Sequence, residues 1–312
     1  MHNIKLGVVG LGTISAVYWK SLALAGGFTV SAVCDRDEDK LRAYKGEGVA
    51  RYTSYAALAK DDGVDCVLIA LPPSMHEEAA LCCMRAGKSV LLEKPACDGY
   101  EQTEKLYDVA AKTGVLLRTA YHAAHGAETE WYLSHREEIG ARYGLGNLIA
   151  AKCYFVDPYL AGGSVIESKK ALGGSWTDSG VNALSVLARL VSLPEFSLCE
   201  QESKHIDDTD VWTHKTFRAA GVDAEIVTDW TSGLNKKRTE LLFDSGAKIV
   251  LDHSAQSVVL CADARETQLF VYEREERLTA QYTAVFRDYH RAYMRKEWDK
   301  EKTLCIQKKL YE

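Results

Sequence analysis

The chain has 312 residues, which is enough for two domains that each bury a core of their own. Its 47% hydrophobic and 26% charged residues are typical of a soluble protein, and a net charge of −6 without any basic stripe argues against nucleic acid as a partner. The longest apolar runs, such as residues 64–71, are too short for a membrane span, and the N-terminus begins with a strand rather than an apolar signal segment. We therefore expect a cytoplasmic protein that binds neither nucleic acid nor membrane.

The nine cysteines are odd in number and include no pair spaced as CxxC. This spacing fits neither a disulfide framework nor a zinc site. It predicts reduced, mostly buried thiols, with a single reactive thiol as the alternative, and we expect no metal site.

The first 120 residues alternate strand and helix signals. Strands are predicted at residues 4–9, 28–34, 65–71, 89–92 and 115–119. Helices are predicted at residues 13–25, 38–44, 74–86, with Ser74 as the N-cap, and 100–112. Strict alternation of this kind predicts a doubly wound parallel sheet that is covered by helices on both faces.

After about residue 120 the pattern changes to long alternations of polar and apolar residues. Strands are predicted from residue 147 onward, for example at residues 211–220, 224–230, 238–243 and 248–251. Helices are predicted at residues 127–138, 178–191 and 279–295. The fold class is therefore α/β: a Rossmann domain at 1–121, and a substrate-binding and dimerisation domain at 122–312 with a large, mainly antiparallel, open sheet.

A glycine-rich turn follows the first strand and opens the first helix. It reads Gly10-Leu11-Gly12-Thr13-Ile14-Ser15. In such a fingerprint the first glycine permits the tight turn and the second lets the backbone approach a pyrophosphate at the helix N-terminus. The third glycine is replaced by Ser15, which is still small enough for close packing. Gly10, Gly12, Thr13 and Ile14 are therefore candidate cofactor contacts.

The second strand ends at Cys34-Asp35-Arg36. A carboxylate at Asp35 can accept hydrogen bonds from the adenosine ribose and repel a 2′-phosphate, whereas Arg36 can pair with that phosphate. The sequence therefore favours NAD as the cofactor and leaves NADP possible.

Three further motifs occur in a fixed order. They are Leu71-Pro72-Pro73-Ser74-Met75-His76, Glu93-Lys94-Pro95 and Asp178-Ser179-Gly180-Val181-Asn182. Together with the glycine-rich turn, this set resembles the glucose–fructose oxidoreductase, inositol dehydrogenase and rhizopine-catabolism (Gfo/Idh/MocA) family over nearly the whole chain. Because it has Asn182 together with His122, the chain is most similar to the L-arabinose and D-galactose 1-dehydrogenase branch of this family. The resemblance implies a cis Lys94–Pro95 bond and places Leu71, Pro72, His76, Glu93 and Lys94 at the nucleotide.

The candidate catalytic residues suit hydride transfer from a sugar. Oxidation needs a base that removes the hydroxyl proton as hydride leaves for the nicotinamide. Asp178 and Asn182 are four residues apart and so share a helix face. We predict Asp178 and Lys94 as the acid–base pair, with His122 and Asn182 orienting the sugar, and with His122 as the rival base.

Structural alternatives exist for these residues. Asp178 can be only a helix N-cap, Lys94 a solvated lysine at a strand end, His122 a structural histidine and His76 a solvent-facing one. The chain also departs from the sugar dehydrogenase branch, because Ala123-Ala124 follow His122 and residues 159–172 replace a tryptophan-rich segment.

The predicted function is an NAD(P)-dependent oxidoreductase that takes hydride from a sugar or polyol. The predicted position is the anomeric carbon of an aldose such as galactose or arabinose, which gives a lactone. The alternatives are a non-catalytic nucleotide- and sugar-binding regulator and an NAD-dependent glycosidase of the same family. A homodimer or homotetramer that forms through the open sheet is expected, because an exposed apolar face is unfavourable.

Overall fold

The computed structural model describes residues 3–161 and 166–312. The chain divides into two compact units. The first comprises the chain up to Tyr121 with Tyr282–Gln307 and Tyr311, and the second comprises His122–Gln281 with Lys308–Leu310 and Glu312. Residues 282–307 thus pack within the first unit, although the sequence prediction placed them in the second domain.

The first unit is built on six parallel strands. They are β1 (Ile4–Val9), β2 (Phe28–Cys34), β3 (Ala50–Tyr52), β4 (Cys66–Ile69), β5 (Ser89–Glu93) and β6 (Leu117–Ala120). Their order in the sheet is β3-β2-β1-β4-β5-β6, which is the doubly wound order of dinucleotide-binding domains. The predicted parallel sheet is confirmed, and the short β3 is an addition to it.

Five helices connect these strands. They are α1 (Ser15–Ala25), α2 (Glu38–Ala43), α3 (Tyr55–Leu58), α4 (His76–Arg85) and α5 (Tyr100–Thr113). The prediction of Ser74 as the N-cap of α4 is wrong, because Pro73–Met75 form a 3₁₀ turn and the helix begins only at His76, after Met75. Proline supplies the backbone angle for that tight first turn.

The second unit is built on an eight-stranded sheet. Its strands are β7 (Leu148–Val156), β8 (Ser197–Ile206), β9 (Thr209–Ala219), β10 (Val222–Asp229), β11 (Lys236–Phe243), β12 (Lys248–Asp252), β13 (Ser257–Ala262) and β14 (Arg265–Val271). Their order is β14-β13-β12-β11-β7-β10-β9-β8. The β7–β10 pair is parallel and the remaining pairs are antiparallel. The predicted large, mainly antiparallel sheet is therefore confirmed.

Four helices complete the fold. They are α6 (Ala127–Tyr143), α7 (Val181–Leu190), α8 (Arg277–Arg295) and α9 (Lys300–Tyr311). The predicted helix over 178–191 is shorter than expected, because Trp176–Gly180 form a π-helical turn and α7 begins at Val181. In the part of the chain that the structure describes, no helix combines the length and apolar character needed to cross a bilayer.

The outward face of the large sheet carries charged side chains where an apolar face was expected. Lys152 pairs with Glu225 at 2.9 Å across β7 and β10, and Glu240 on β11 pairs with Lys248 on β12 at 3.2 Å. These pairs are about one third exposed at Lys152, Glu225 and Lys248. The face that motivated the expected oligomer thus carries ion pairs beside exposed apolar side chains such as Ile149.

Candidate functional site

Two glycines with different roles build the turn between β1 and α1. Gly10 has a φ of +96°, and a Cβ there would lie 2.3 Å from the carbonyl oxygen of Ala70, so only glycine fits this position. A Cβ at Gly12 would meet no described atom within 4 Å, so the space beside it is open. The Ser15 hydroxyl donates to the Gly12 carbonyl at 2.7 Å, which shows how serine replaces the third glycine.

The turn leads into the N-terminus of α1. Thr13 and Ile14 form the last step of the turn, and within the described residues no side chain caps the first turn of the helix. The helix dipole there suits an anionic group such as a pyrophosphate. The open space at Gly12 and this helix end together fit a dinucleotide.

Asp35 lies at the end of β2 and holds the glycine-rich turn. One carboxylate oxygen accepts from the Leu11 amide at 2.8 Å and lies 3.5 Å from the Lys40 ammonium, and the other accepts from the Asp37 amide at 3.0 Å. Burial opposes ionisation, but the two amide hydrogen bonds and Lys40 lower the pKa of Asp35 below its usual value. Asp35 is therefore ionised, as an acceptor of hydrogen bonds from ribose hydroxyls needs to be. The neighbouring Lys40 was not predicted from the sequence.

A cavity of about 710 Å³ lies beside the glycine-rich turn, at the carboxyl edge of the sheet. Of the predicted cofactor contacts, it is lined by Gly10, Gly12, Asp35, Arg36, Leu71 and Pro72. It is also lined by side chains that the sequence analysis did not select, namely Lys40, Thr53, Ser54, Tyr55, Met75, Glu78 and Cys82. The edge where α/β folds bind nucleotides thus has a cavity of suitable size and polarity.

His76 is wholly buried rather than solvent-facing. Its two ring nitrogens lie 2.9 Å from the Pro95 carbonyl oxygen and 2.8 Å from the Leu71 carbonyl oxygen. The imidazole therefore links the loop after β4 to the segment after β5. It lies outside the lining of the cavity, so its direct contact with a cofactor stays a prediction.

Lys94 follows β5 directly and its peptide bond to Pro95 is cis, as expected. The Glu93 carboxylate beside it is buried. It accepts from the Tyr18 hydroxyl at 2.6 Å, from the Tyr282 hydroxyl at 2.7 Å and from the Lys94 amide at 3.1 Å. Glu93 thus anchors the backbone that carries Lys94, and its predicted contact with the cofactor stays untested.

Asp178 lies inside the π-helical turn that precedes α7 and does not act as an N-cap. The Asn182 side-chain amide donates to the Asp178 backbone carbonyl at 3.1 Å, so the two residues are neighbours, as their spacing predicts. The Asn182 side-chain oxygen is buried and has no hydrogen-bond partner in the described structure. π-Helical turns within helices occur often at functional sites.

His122 begins a 3₁₀ turn, His122–His125, that contacts α7. Its ring is buried, and Nδ1 lies 2.9 Å from the Gln281 side-chain oxygen, so Nδ1 carries a proton in this contact. The three predicted groups of the second unit, Asp178, Asn182 and His122, thus lie on α7 and the segments that adjoin it. Lys94 belongs to the first unit.

A buried polar network supports the π-helical turn, and the sequence analysis missed it. Asp157 pairs with the Lys237 ammonium at 2.7 Å and accepts from the Ser179 hydroxyl at 2.8 Å. The Trp230 indole donates to the same hydroxyl at 3.3 Å, and the Tyr159 ring packs against Trp230 with ring centroids 5.2 Å apart. Their contact arises from pairing between distant strands, which sequence spacing does not reveal.

Residues 4–121 match the model of the Gfo/Idh/MocA family, described as an oxidoreductase family with an NAD-binding Rossmann fold. This match covers the same elements that carry the glycine-rich turn, Asp35 and Lys94. The N-terminal domain belongs to the Gfo/Idh/MocA oxidoreductase family. Its cofactor is therefore NAD or NADP, as predicted.

Relatives extend the likeness beyond this Gfo/Idh/MocA domain. An uncharacterised oxidoreductase of Rhizobium meliloti is 29% identical over 198 residues, which are 62% of this chain and 58% of that protein. The myo-inositol 2-dehydrogenase of Thermotoga maritima is 30% identical over 121 residues, which are 38% of this chain and 36% of that protein. The matched regions thus span less than two thirds of the length of these relatives.

The fold of the whole chain is shared with solved structures. A 3-ketoreductase from Actinomadura kijaniata, solved with NADP and TDP-benzene, superposes with a TM-score of 0.84 over 99% of this chain and 96% of its own, at 22% identity. This likeness confirms the predicted α/β architecture. The matched proteins include an inositol dehydrogenase, so they support the family without singling out its L-arabinose and D-galactose branch.

Proposed function

We propose that this chain is an NAD(P)-dependent dehydrogenase that oxidises a hydroxyl-bearing carbon of a sugar or polyol. The observation that carries the proposal is the nucleotide cavity beside Gly12 and Asp35, in a domain in which Lys94 directly follows β5. The second unit adds a carboxylate, an amide and an imidazole around α7. These groups supply the charge, donors and acceptors that a polyol needs.

The proposed reaction balances with these groups. An oxidised nicotinamide cofactor, when bound, would supply the hydride acceptor, and the substrate hydroxyl would lose its proton as the carbonyl forms. Asp178 is the proposed acceptor of that proton, and Lys94 is the proposed relay. Asn182 offers a buried side-chain oxygen that suits a substrate hydroxyl as donor, and His122 is the proposed contact of a second substrate hydroxyl.

The finer proposal is oxidation at the anomeric carbon of an aldose such as galactose or arabinose, giving a lactone. The presence of His122 with Asn182 supports it, because the sequence resembles the sugar 1-dehydrogenases at these positions. A myo-inositol 2-dehydrogenase among the relatives supports a ring secondary alcohol instead. Product analysis separates these outcomes, because only an aldose gives a lactone that hydrolyses to an acid.

Two other functions make different predictions. A regulator that binds nucleotide and sugar without reaction produces no reduced nicotinamide and no product. An NAD-dependent glycosidase releases sugar from a glycoside without net reduction. We expect the formation of reduced nicotinamide with at least one member of a panel of aldoses and inositols. Product release without net reduction, or neither signal across the panel, contradicts the dehydrogenase proposal.

We also propose that the open sheet of the second unit forms a homodimer or homotetramer. The paired charges on that face, such as Lys152 with Glu225, can exchange partners with a second copy. Light scattering at micromolar concentration is expected to show an oligomer, and charge reversal by Lys152→Glu to weaken it. A stable monomer in the wild type contradicts this proposal.

A further inference from the structure

Asp210 lies near the start of β9 and contacts the beginning of the π-helical turn that carries Asp178. Its Oδ2 atom accepts from the Trp176 amide at 2.7 Å and from the Ser175 hydroxyl at 2.7 Å. Trp176 is the first residue of the turn, and an amide at the start of a helix has no partner within that helix. Asp210 therefore supplies, from a distant strand, the acceptor that an N-cap side chain usually supplies.

The groups around these hydrogen bonds are buried. Ser175 and Thr228 are wholly buried, and their hydroxyl oxygens lie 3.0 Å apart. The Thr213 hydroxyl, which is also buried, is a third donor to Oδ2 of Asp210, at 3.2 Å. Hydrogen bonds between buried groups are costly to leave unmade, so this set favours a single position of the turn.

The glycine before the turn leaves room for the same carboxyl group. Gly174 has a φ of +97°, and a Cβ there would clash with Oδ1 of Asp210. A larger residue at this position would therefore displace the Asp210 side chain. The Gly174 carbonyl also accepts from the Asp178 amide at 3.0 Å. The residue that accommodates Asp210 thus also binds the backbone of Asp178.

Trp176 extends this anchoring to the other end of the turn. Its indole donates to the Leu310 carbonyl at 2.7 Å, and the Lys215 ammonium, also on β9, lies 4.4 Å from the centre of its ring. The ring covers Gly180, the last residue of the turn, where a Cβ would lie 2.7 Å from a ring carbon. Asp178 thus lies between two ends of the turn that Trp176 contacts.

We propose that Asp210 is a positioning residue, which fixes the π-helical turn and thereby the place of the Asp178 carboxyl group. This inference rests on the proposed function, in which Asp178 accepts the proton of the substrate hydroxyl. A π-helical turn is a rare conformation, so contacts from outside the helix are needed to favour it over a regular α-helical turn. Misplacement of a reacting group by about 1 Å can lower a rate about 10²-fold. Asp210 acts through the backbone of the turn, at the Trp176 amide.

The kinetic test compares Asp210→Ala with Asp210→Asn. The alanine variant loses the acceptor, whereas the side-chain oxygen of asparagine can still accept from the Trp176 amide. We expect Asp210→Ala to lower kcat about tenfold or more and to change KM less than about threefold, because Asn182 lies beyond the turn, on α7. Asp210→Asn is expected to keep kcat within about threefold of the wild type. An unchanged kcat in Asp210→Ala, or an equal loss in both variants, overturns the proposal.

The matched control is Asp244→Ala. Asp244 follows β11 and likewise accepts from a backbone amide and from a side chain, both of Asn147 and both at 2.9 Å. Asn147 precedes β7, whereas the π-helical turn is bonded to Asp157, which follows β7. The control is therefore expected to match the wild type in kcat and KM. A loss of kcat as large as that of Asp210→Ala would contradict the positioning role.

A double-mutant cycle with Asp178→Asn tests whether the effect acts through Asp178. In the Asp178→Asn background, Asp210→Ala is expected to change kcat by less than about twofold. A general loss of structure would instead lower kcat in either background. A further loss of about tenfold in the Asp178→Asn background therefore overturns the positioning role.

Hydrogen exchange, which needs no turnover, separates this proposal from the proposed function. The backbone amides of residues 176–182 are followed by mass spectrometry. We expect them to exchange about tenfold faster in Asp210→Ala than in the wild type or in Asp244→Ala, while residues 248–252 of β12 exchange equally in all three. If the wild type oxidises no sugar but this local change is found, only the proposed function fails. If residues 176–182 exchange as in the wild type, or residues 248–252 change as much, the positioning role fails whatever the enzyme activity.

Discussion

Gly10 passes so close to Ala70 that a Cβ on the glycine would lie 2.3 Å from the Ala70 carbonyl oxygen, whereas Gly12 faces open space. The first glycine is therefore needed by the fold. The second is free of protein contacts on the side where a side chain would project. Substitutions at these two glycines therefore test different properties: Gly10 tests the stability of the fold, and Gly12 tests cofactor binding.

The two glycines give the first prediction. Gly12→Val is expected to keep the thermal stability of the wild type and to abolish nucleotide binding, because its side chain enters the space that the pyrophosphate needs. Gly10→Ala is expected to destabilise the protein by about 2 kcal/mol or more, since it adds a clash to a positive φ. Calorimetric titration with NAD and NADP and thermal unfolding measure the two effects. Full nucleotide affinity in Gly12→Val would show that the glycine-rich turn does not contact the cofactor.

Asp35 gives a prediction of cofactor preference. We expect the wild type to prefer NAD, and Asp35→Ser to shift the ratio of affinities toward NADP by about tenfold or more, since repulsion of the 2′-phosphate is lost. Arg36 and Lys40 line the same cavity and can then pair with that phosphate. Asp35→Asn is the matched control, because it can still accept from the Leu11 amide. A wild type with a clear NADP preference is the contrary result.

The ionisation of Asp35 also predicts a pH dependence of stability. Its pKa in the folded state is lowered, so its ionised form stabilises the protein above the unfolded-state pKa of about 3.9. This contribution is lost as the pH falls through the folded-state pKa. The difference in unfolding free energy between the wild type and Asp35→Asn is thus expected to be largest near neutral pH and to shrink below about pH 4. Urea unfolding across this range measures it, and a difference that grows in acid would contradict the assignment.

Much of this nucleotide site follows from the sequence because its signals are local. Strand, glycine turn and helix are adjacent in the chain, so Gly10, Gly12 and Asp35 are placed by spacing alone. Lys40 is only five residues from Asp35, at the third position of α2, and this short spacing is a signal that could have identified it.

The second unit shows why the rest was not predictable. β8 is exposed on nearly all of its residues, so it lacks the alternation that marks a half-buried strand. The π-helical turn at Trp176–Gly180 differs from an α-helix by hydrogen bonds that residue types do not specify. The Asp157–Lys237 pair depends on strand order, which arises only in the folded chain.

Lys94 gives a prediction that separates binding from chemistry. Lys94→Ala is expected to bind nucleotide nearly as well as the wild type and to retain less than about a tenth of its kcat, because a proton relay is lost. Lys112→Ala, at the exposed C-terminal end of α5, is the matched control for a loss of charge in the same domain. Lys94→Ala with more than about a tenth of the wild-type kcat is incompatible with the relay role.

The last prediction identifies the side chain that accepts the proton of the substrate hydroxyl. Asp178→Asn is expected to lower kcat at least about 10²-fold with a modest change in KM, because an amide cannot accept the proton. His122→Gln is expected mainly to raise KM, because the imidazole is held by Gln281 and orients the sugar in this proposal. Steady-state kinetics with a saturating cofactor measure both variants. If His122→Gln loses the chemical step while Asp178→Asn keeps it, the base is His122. In that case the His122 imidazole, rather than the Asp178 carboxylate, accepts the proton.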